Sequence, residues 1–309
     1  MLDSCSSEKS EGLKISSKRT DLPSVSVVVP VYNAEKSIKE CIDSILSLNY
    51  PREKLELIFV NNSSTDNTQT LLEEYEGRIK ILRERKRGPA AARNKGILNS
   101  TGEIIAFTDS DCTVDENWLK NIVNPLQDVR IGIVGGKILS KRPCNIIEEF
   151  GENIHDHNKA INEFKPPYVI SMNWASRRSV LLEVGLFDES FIRCEDVDLS
   201  HKVMQADYRL FYEPEAIIYH SNEKTLSGLF IEGFEHGFWS IKAHKKWNDL
   251  INPFGHRRFD FNTYKDLVES LINYIVGKDR HHNICYFFFN LGKKIGKIPG
   301  SFRFLYIEL

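Results

Sequence analysis

The sequence has no long apolar run and no clustered cysteines. None of its apolar stretches approaches the roughly 20 residues that a membrane-spanning helix needs, and its N-terminus has no apolar signal core. The six cysteines are scattered without a Cys-x-x-Cys pair, which argues against a zinc knuckle or a redox motif. These absences predict a protein of the reducing cytoplasm.

The chain also has little excess charge and no glycine-rich nucleotide motif. Its net charge of -2 gives no general basic field, so nucleic acid is not expected as a partner. No Gly-x-Gly-x-x-Gly follows the first predicted strand, and the pattern Gly-x-x-x-x-Gly-Lys-Ser/Thr is absent. A dinucleotide cofactor and a P-loop are therefore not expected.

Strand and helix patterns alternate along the first half of the chain. β-Branched apolar runs predict strands, and segments with apolar residues at helical spacing lie between them. The predicted strands cover residues 24–32, 55–60, 79–82, 103–107 and 131–139. This rhythm indicates βαβ units around a mostly parallel central sheet flanked by helices, the α/β class.

Composition changes towards both ends of the chain. Residues 1–23 are rich in Ser, Lys and Glu and predict a disordered leader. Residues 24–222 form the predicted α/β domain, and residues 223–309 form a helical C-terminal extension. Residues 224–309 hold thirteen Lys and Arg against eight Asp and Glu, a net charge of +5 that leaves -7 for the rest.

Two aspartates directly follow the predicted strand at 103–107. Asp109 and Asp111 are spaced i, i+2, which in extended backbone directs both carboxylates to one side. Two adjacent carboxylates are costly without a cation, and Mg²⁺ or Mn²⁺ takes oxygen ligands and shares itself with phosphates. Because ligands in open α/β sheets bind beyond the carboxyl ends of strands, the stretch predicts a metal-diphosphate site. An ordinary helix entry is the alternative interpretation of these residues alone.

Four motifs fall in a fixed order along the chain. They are Val28-Val29-Pro30-Val31-Tyr32-Asn33, Asn61-Asn62-Ser63-Ser64-Thr65-Asp66-Asn67-Thr68, Asp109-Ser110-Asp111 and Glu195-Asp196-Val197-Asp198-Leu199. In order and spacing they resemble the family 2, GT-A-fold, inverting glycosyltransferases, and the resemblance covers about residues 25–220. It implies a GT-A fold and an enzyme that moves a sugar from a nucleotide-diphosphate donor to a hydroxyl of a saccharide or lipid-linked saccharide.

The resemblance also implies roles for individual residues. The donor and nucleotide would be bound by Pro30, Val31, Tyr32, Asn33, Asn61, Asn62, Arg93, Asp109 and Ser110. Mn²⁺ or Mg²⁺ would be held by Asp111, His220 and Asp109, Asp196 would be the catalytic base, and Trp174 and Glu195 would lie on the acceptor side. Two plainer interpretations stay open: His220 merely ends a strand, and the carboxylates at 195–198 merely favour a helix N-terminus.

One departure from the family pattern concerns the nucleotide base. Many members have an Asp-Asp pair where this chain has Asn61 and Asn62. A carboxylate only accepts, which suits a uracil N–H, whereas Asn accepts and also donates. A UDP-sugar is the expected donor, and a GDP-sugar stays open.

Two other functions are alternatives to a glycosyltransferase. A nucleotidyltransferase also uses an α/β fold and a metal, but it carries a Gly-rich, basic loop where this chain reads Pro-Val-Tyr-Asn. A catalytically inactive sugar-nucleotide-binding or scaffold protein would not need Asp111, Asp196 and His220 together.

The C-terminal extension allows two interpretations. Residues 239–247 and 284–297 interleave aromatic residues with lysines, among them Lys293, Lys294 and Lys297. They predict either a peripheral anchor on the cytoplasmic face of the membrane or helices that close the core.

Overall fold

The computed structural model describes residues 22–251 and 261–306. Residues 1–21 of the predicted leader lie outside the described residues, so the leader stays a prediction.

Eight strands form one mixed sheet. They are β1 (Val25–Val31), β2 (Leu55–Asn61), β3 (Lys80–Arg83), β4 (Ile104–Thr108), β5 (Cys112–Val114), β6 (Ile131–Ser140), β7 (Asn173–Arg177) and β8 (Arg209–His220). Their order across the sheet is β3-β2-β1-β4-β7-β6-β8-β5. Strands β1 to β4 are mutually parallel where they pair. The valines of β1, the apolar side chains of β4 and most of those of β2 are buried, as the near-continuous runs predicted, whereas those of the outer strand β3 are half-buried.

The second half of the sheet departs from the predicted parallel arrangement. Strand β7 runs antiparallel to both β4 and β6. Strand β8 is parallel to β6 and antiparallel to the short β5. Periodicity shows that a segment is a strand but carries no information on its direction, which explains why the sequence did not give these reversals.

Helices cover the sheet and continue beyond it. Those of the α/β domain are α1 (Ile38–Leu46), α2 (Thr68–Glu73), α3 (Pro89–Leu98), α4 (Trp118–Val123), α5 (Ile146–Ile154), α6 (His157–Asn162), α7 (Arg178–Glu183) and α8 (Glu195–Gln205). The C-terminal helices are α9 (Leu226–Lys246), α10 (Asn248–Ile251), α11 (Phe261–Val276) and α12 (Arg280–Phe304). The predicted class, an α/β GT-A-like sheet with C-terminal helices, is confirmed.

The backbones of helices α9 and α12 are in direct contact at their glycines. A Cβ built on Gly233 or Gly237 of α9 would lie about 2 Å from a carbonyl oxygen of α12, at 2.1 Å and 1.9 Å. A Cβ on Gly292 or Gly296 of α12 would meet carbonyl oxygens of α9 at 2.1 Å and 2.0 Å. Only glycine permits this approach. Among the described residues, none of these helices is both long and apolar enough to cross a bilayer.

Candidate active site

The two aspartates lie in a tight turn that joins β4 to β5. The turn closes with a hydrogen bond from the Cys112 amide to the Asp109 carbonyl oxygen at 3.1 Å, as in a β-turn. The backbone is therefore not extended here, and the expectation that both carboxylates point to one side for that reason is wrong. Instead, Asp109 faces α3 and Asp111 faces β8, where each finds a different partner.

The partner of Asp111 is His220. Strands β5 and β8 pair with Cys112 opposite His220, which brings the imidazole Nε2 to 3.5 Å from Asp111 Oδ2. Burial disfavours both charges, but the mutual attraction lowers the pKa of Asp111 and raises that of His220 to about 9. Asp111, Cys112 and His220 present ligand atoms within 4.8 Å of one another. Burial raises the pKa of the Cys112 thiol, which therefore stays protonated.

Asn222 fixes the orientation of the His220 ring. The amide nitrogen of Asn222 donates to the Glu148 carbonyl oxygen at 2.8 Å and to Ser140 Oγ at 2.9 Å. Since the carbonyl oxygen only accepts, Asn222 must turn its own oxygen towards His220 Nδ1, 2.7 Å away. Nδ1 therefore carries a proton and Nε2 faces Asp111. This is the orientation that a metal-binding histidine requires, with its second nitrogen held by a hydrogen bond.

The donor set fits a divalent metal ion. A carboxylate and an imidazole nitrogen at 3.5 Å suit Mn²⁺, and the carboxylate suits Mg²⁺. The third predicted ligand, Asp109, has one oxygen held by Arg93, so its part in a metal site stays a prediction.

Arg93 joins the aspartate turn to helix α8. Its side chain is buried, and its two terminal nitrogens donate at 2.7 Å to Asp109 Oδ1 and at 2.7 Å to Glu195 Oε1. Burial opposes the charge of the guanidinium, but Asp109 and Glu195 raise its pKa, so Arg93 is held as a cation. Gly88 precedes α3 at φ +123°, and Pro89 begins the helix.

Asp196 lies in the first turn of α8. Its Oδ1 accepts from the Val197 amide at 2.8 Å and its Oδ2 from the Ser171 amide at 3.0 Å. Burial raises the pKa of Asp196, while these amides and Arg93 oppose the shift. Backbone donors thus hold the carboxylate in place and its pKa is raised, as suits a group that accepts a proton.

Two cavities meet at Arg93 and Asp109. The smaller, of about 450 Å³, contains eight of the predicted donor and metal residues, which are Pro30, Val31, Tyr32, Asn62, Arg93, Asp109, Ser110 and Asp111. The larger, of about 1300 Å³, lies between the α/β domain and helices α9 and α12, and Asp196 and Glu195 line it. Pro89 and Ile192 also border both spaces. Asp111 and Asp196 therefore line two different cavities that adjoin at Arg93 and Asp109.

The predicted base-reading asparagines are engaged within the protein. Asn62 donates to the carbonyl oxygens of Glu84 and Lys86 and accepts from the Gly88 amide. Asn61 accepts from the Ser64 amide and donates to Gln69 at 2.7 Å.

The remaining predicted donor residue, Asn33, accepts from the Thr65 amide at 2.8 Å. Neither Asn33 nor Asn61 belongs to the smaller cavity's wall as the described residues form it. The nucleotide role of these residues stays a prediction.

Trp174 lies beneath the site rather than on a cavity wall of the described chain. It is fully buried on β7 and stacks on Phe107, with 4.4 Å between ring centroids. Phe187 packs against both rings. Its predicted acceptor role is untested, and its packing supports the strand that leads to the aspartate turn.

Three groups of residues that shape the site were not predicted from the sequence. Ser171 acts through its backbone amide, which leaves no residue-type signal. Asn222 follows His220 by two residues but has no motif of its own. Arg87 and Ile192 line the smaller cavity from loops. The basic pair flanking Pro89, Arg87 and Arg93, was the only sequence signal available for that wall.

The mixed sheet flanked by helices, with the aspartate turn at its edge, is the architecture of the GT-A fold. The model described as "Glycosyl transferase family 2" matches residues 26–185. The chain therefore belongs to glycosyltransferase family 2, as the sequence motifs indicated.

Curated relatives and solved structures agree with this assignment. Glycosyltransferase AglE of Haloferax volcanii is 29% identical over 201 residues, which cover 63% of this chain and 66% of AglE. The poly-beta-1,6-N-acetyl-D-glucosamine synthase of Staphylococcus epidermidis is 26% identical over 267 residues, which cover 78% of this chain and 63% of that protein. The chain thus spans less than two thirds of the length of these relatives.

Among solved structures, mannosyltransferase PcManGT from Pyrobaculum calidifontis, in complex with GDP-Man and Mn²⁺, gives a TM-score of 0.68 at 19% identity, covering 90% of this chain and 88% of that one. Residues 1–349 of S. aureus TarS, in complex with UDP-GlcNAc, give a TM-score of 0.54 at 16% identity, covering 90% and 91%. At these identities the likeness shows the fold.

Proposed function

We propose that this glycosyltransferase is metal-dependent and inverting, and that it transfers a sugar from a nucleotide-diphosphate donor to a hydroxyl of a saccharide or lipid-linked saccharide. The observation that carries the proposal is the junction of the two cavities. Asp111 lines the smaller cavity with His220 Nε2 3.5 Å from its carboxylate, Asp196 lines the larger cavity, and Arg93 borders both.

In this arrangement the donor occupies the smaller cavity and the acceptor the larger one. Asp196 takes the proton from the acceptor hydroxyl as the oxygen attacks the anomeric carbon. The bond from that carbon to the diphosphate oxygen breaks, and the diphosphate leaves with the electron pair. Attack from the side opposite the leaving group inverts the anomeric configuration.

Asp111, His220 and Asp109 are the residues that would hold Mn²⁺ or Mg²⁺. When bound, the ion supplies Lewis-acid stabilisation of the charge on the departing diphosphate. Asn222 keeps the His220 ring turned towards this position, and Arg93, held between Asp109 and Glu195, adds a fixed positive charge at the junction.

The nucleotide of the donor is proposed to be UDP. PcManGT was solved with GDP-Man and TarS with UDP-GlcNAc, so the fold accommodates either base. Asn61 lies outside the wall of the smaller cavity but pairs with Val31, which belongs to that wall. The side-chain oxygen of Asn61 accepts from Ser64 and keeps capacity for a second hydrogen bond, which would suit the uracil N–H of a bound donor.

The proposal is tested with a panel of nucleotide sugars. Thermal shift against UDP-GlcNAc, UDP-glucose and GDP-mannose, with and without Mn²⁺, selects the donor, and release of nucleotide with water as acceptor then measures turnover. Asp111→Ala should abolish turnover and leave the fold intact. Asp196→Asn should bind the donor but turn it over about 10² to 10⁴ times more slowly. Full activity in excess EDTA, or wild-type turnover of Asp196→Asn, contradicts the proposal.

We also infer contact with the cytoplasmic membrane face, but through other residues than the sequence suggested. Lys294 and Lys297 are buried at 9% and 6% exposure and line the larger cavity, so they do not face a bilayer. Eleven of the twenty-one large apolar side chains that the described residues leave exposed lie in α11, in α12 or just after it. On α11 they are Tyr264, Val268, Leu271, Ile272, Tyr274, Ile275 and Val276, and towards the end of α12 they are Ile295, Ile298, Phe302 and Leu305.

Vesicle sedimentation tests this contact. Apolar side chains on an interfacial helix insert at the headgroup boundary, so the wild type should co-sediment with anionic vesicles. Ile275→Glu should reduce binding, and Val129→Glu, at an exposed apolar residue of the α/β domain, should not. No binding to anionic or neutral vesicles would remove the main reason to propose a lipid-linked acceptor.

A further inference from the structure

The last turns of α9 are docked on the segment that carries Asp196. Lys246 Nζ donates to Asp188 Oδ2 at 2.9 Å and lies 2.7 Å from Asp198 Oδ1. Lys242 Nζ donates to the carbonyl oxygen and the hydroxyl of Ser190. These lysines therefore attach the end of α9 to the α/β domain.

Trp247 adds a buried hydrogen bond to the same carboxylate. Its indole Nε1 donates to Asp198 Oδ1 at 2.9 Å, and its ring meets His201 of α8 edge to face. Asp198 is completely buried. A buried carboxylate requires partners, and two of its partners, Lys246 and Trp247, belong to the C-terminal part of the chain. We call Lys242, Lys246 and Trp247 the α9 anchor.

Asp196 lies between the two attachment points of the α9 anchor. Asp188 and Ser190 precede it in the chain, and Asp198 follows it by two residues. Between these points Cys194 adopts the left-handed conformation at φ +64°. A non-glycine residue persists in that region only where its surroundings determine the backbone. The α9 anchor supplies such a constraint at both ends of the segment.

We propose that the α9 anchor positions Asp196 for proton transfer and that Asp198 is the positioning residue through which it acts. The proposal rests on the proposed role of Asp196 as the base. A base must reach the acceptor oxygen at hydrogen-bond distance, and a shift of about 1 Å can cost roughly 100-fold in rate. Loss of the anchor therefore lowers kcat, whereas donor binding in the smaller cavity is unaffected.

A purely structural anchor makes a different prediction. It would lower the melting temperature and the yield of folded protein, but each folded molecule would turn over at the wild-type rate. The two roles are separated by expressing kcat per functional nucleotide-binding site, counted by calorimetry with the nucleotide sugar that the donor screen selects.

The experiment uses Lys246→Met and Trp247→Phe in the full chain, with hydrolysis of that nucleotide sugar in Mn²⁺ as the readout. Each should lower kcat per site about 10- to 100-fold and leave the donor Kd within about twofold. Lys246→Arg should restore most of the rate, because a guanidinium can still reach both carboxylates. Lys245→Met is the matched control, since the Lys245 ammonium donates to the Phe304 carbonyl oxygen of α12.

Wild-type kcat per site in both Lys246→Met and Trp247→Phe would overturn the proposal, even with a lowered melting temperature. Because the two variants remove different partners of Asp198, a folding failure in one leaves the other to decide. Failure of the proposed function looks different: the wild type would hydrolyse no donor, or Asp196→Asn would match it.

Discussion

His220 Nδ1 and Asn222 Oδ1 are joined by a hydrogen bond of 2.7 Å, and Asn222 is itself held by Ser140 and by the Glu148 carbonyl oxygen. Asn222→Ala should therefore weaken Mn²⁺ binding about 10- to 100-fold, because the ring loses the acceptor that sets its tautomer. Calorimetric titration of the protein with Mn²⁺ measures this. Unchanged affinity would show that His220 does not act as a ligand through Nε2.

The fall of kcat/KM at low pH, its acid limb, should follow the protonation of the Asp196 carboxylate. Burial raises the pKa of this carboxyl, and the base works only when deprotonated, so activity is lost as pH falls through a pKa above the ordinary value of about 3.9. Arg93→Gln removes a cation that opposes the shift and should move the limb to higher pH. Arg209→Gln, at an exposed ion pair with Asp128, should not move it. A wild-type limb at or below pH 4 would contradict the assignment.

The two asparagines at the end of β2, Asn61 and Asn62, should respond differently to replacement by Asp. Asn62→Asp would turn a carboxylate oxygen towards the carbonyl oxygens of Glu84 and Lys86, and should cost about 2 kcal/mol of unfolding free energy in chemical denaturation. Asn61→Asp keeps the bond from Ser64 and loses the bond to Gln69, but the Gln69 side-chain amide can turn its nitrogen towards the new carboxylate, so this substitution should cost less. It should also preserve or strengthen binding of UDP relative to GDP. Tighter binding of GDP by the wild type would reject uracil selectivity.

The contact between α9 and α12 should not accept a methyl group. Gly296→Ala places a Cβ 2.0 Å from the Phe234 carbonyl oxygen, and should lower the unfolding free energy by about 1 to 3 kcal/mol. Gly228→Ala is the control, because its Cβ meets the movable end of the Glu223 side chain. Equal stability of the two variants would show that the helices separate at little cost.

The strands and the site motifs could be predicted from the sequence, but their positions relative to one another could not. The buried runs of β1, β2 and β4 and the position of the two aspartates after β4 followed from local patterns, whereas the turn that holds these aspartates did not. That His220 lies beside Asp111 came only from the family resemblance, because the contact depends on the register of β5 with β8. The direction of β7 had no local signal at all.

The C-terminal lysines show why the tail was harder to interpret. Lys294 and Lys297 lie on a helix whose partner was not identifiable from apolar spacing, so their orientation was open. The repeated spacing of Gly292, Gly296 and Gly300 was the signal that this side of α12 packs on another helix. From that spacing one could have predicted that the neighbouring lysines, Lys294 and Lys297, are buried.

The larger cavity takes one wall from the α/β domain and the other from α9 and α12. On the proposed placement of donor and acceptor, acceptor choice depends in part on a stretch of the gene separate from the one that encodes the donor site. Substitutions along α9 and α12 should then alter the acceptor while the strands around the donor stay the same. A chimaera that joins this sheet to the C-terminal helices of a relative should inherit the relative's acceptor range, provided that the α9 anchor is kept.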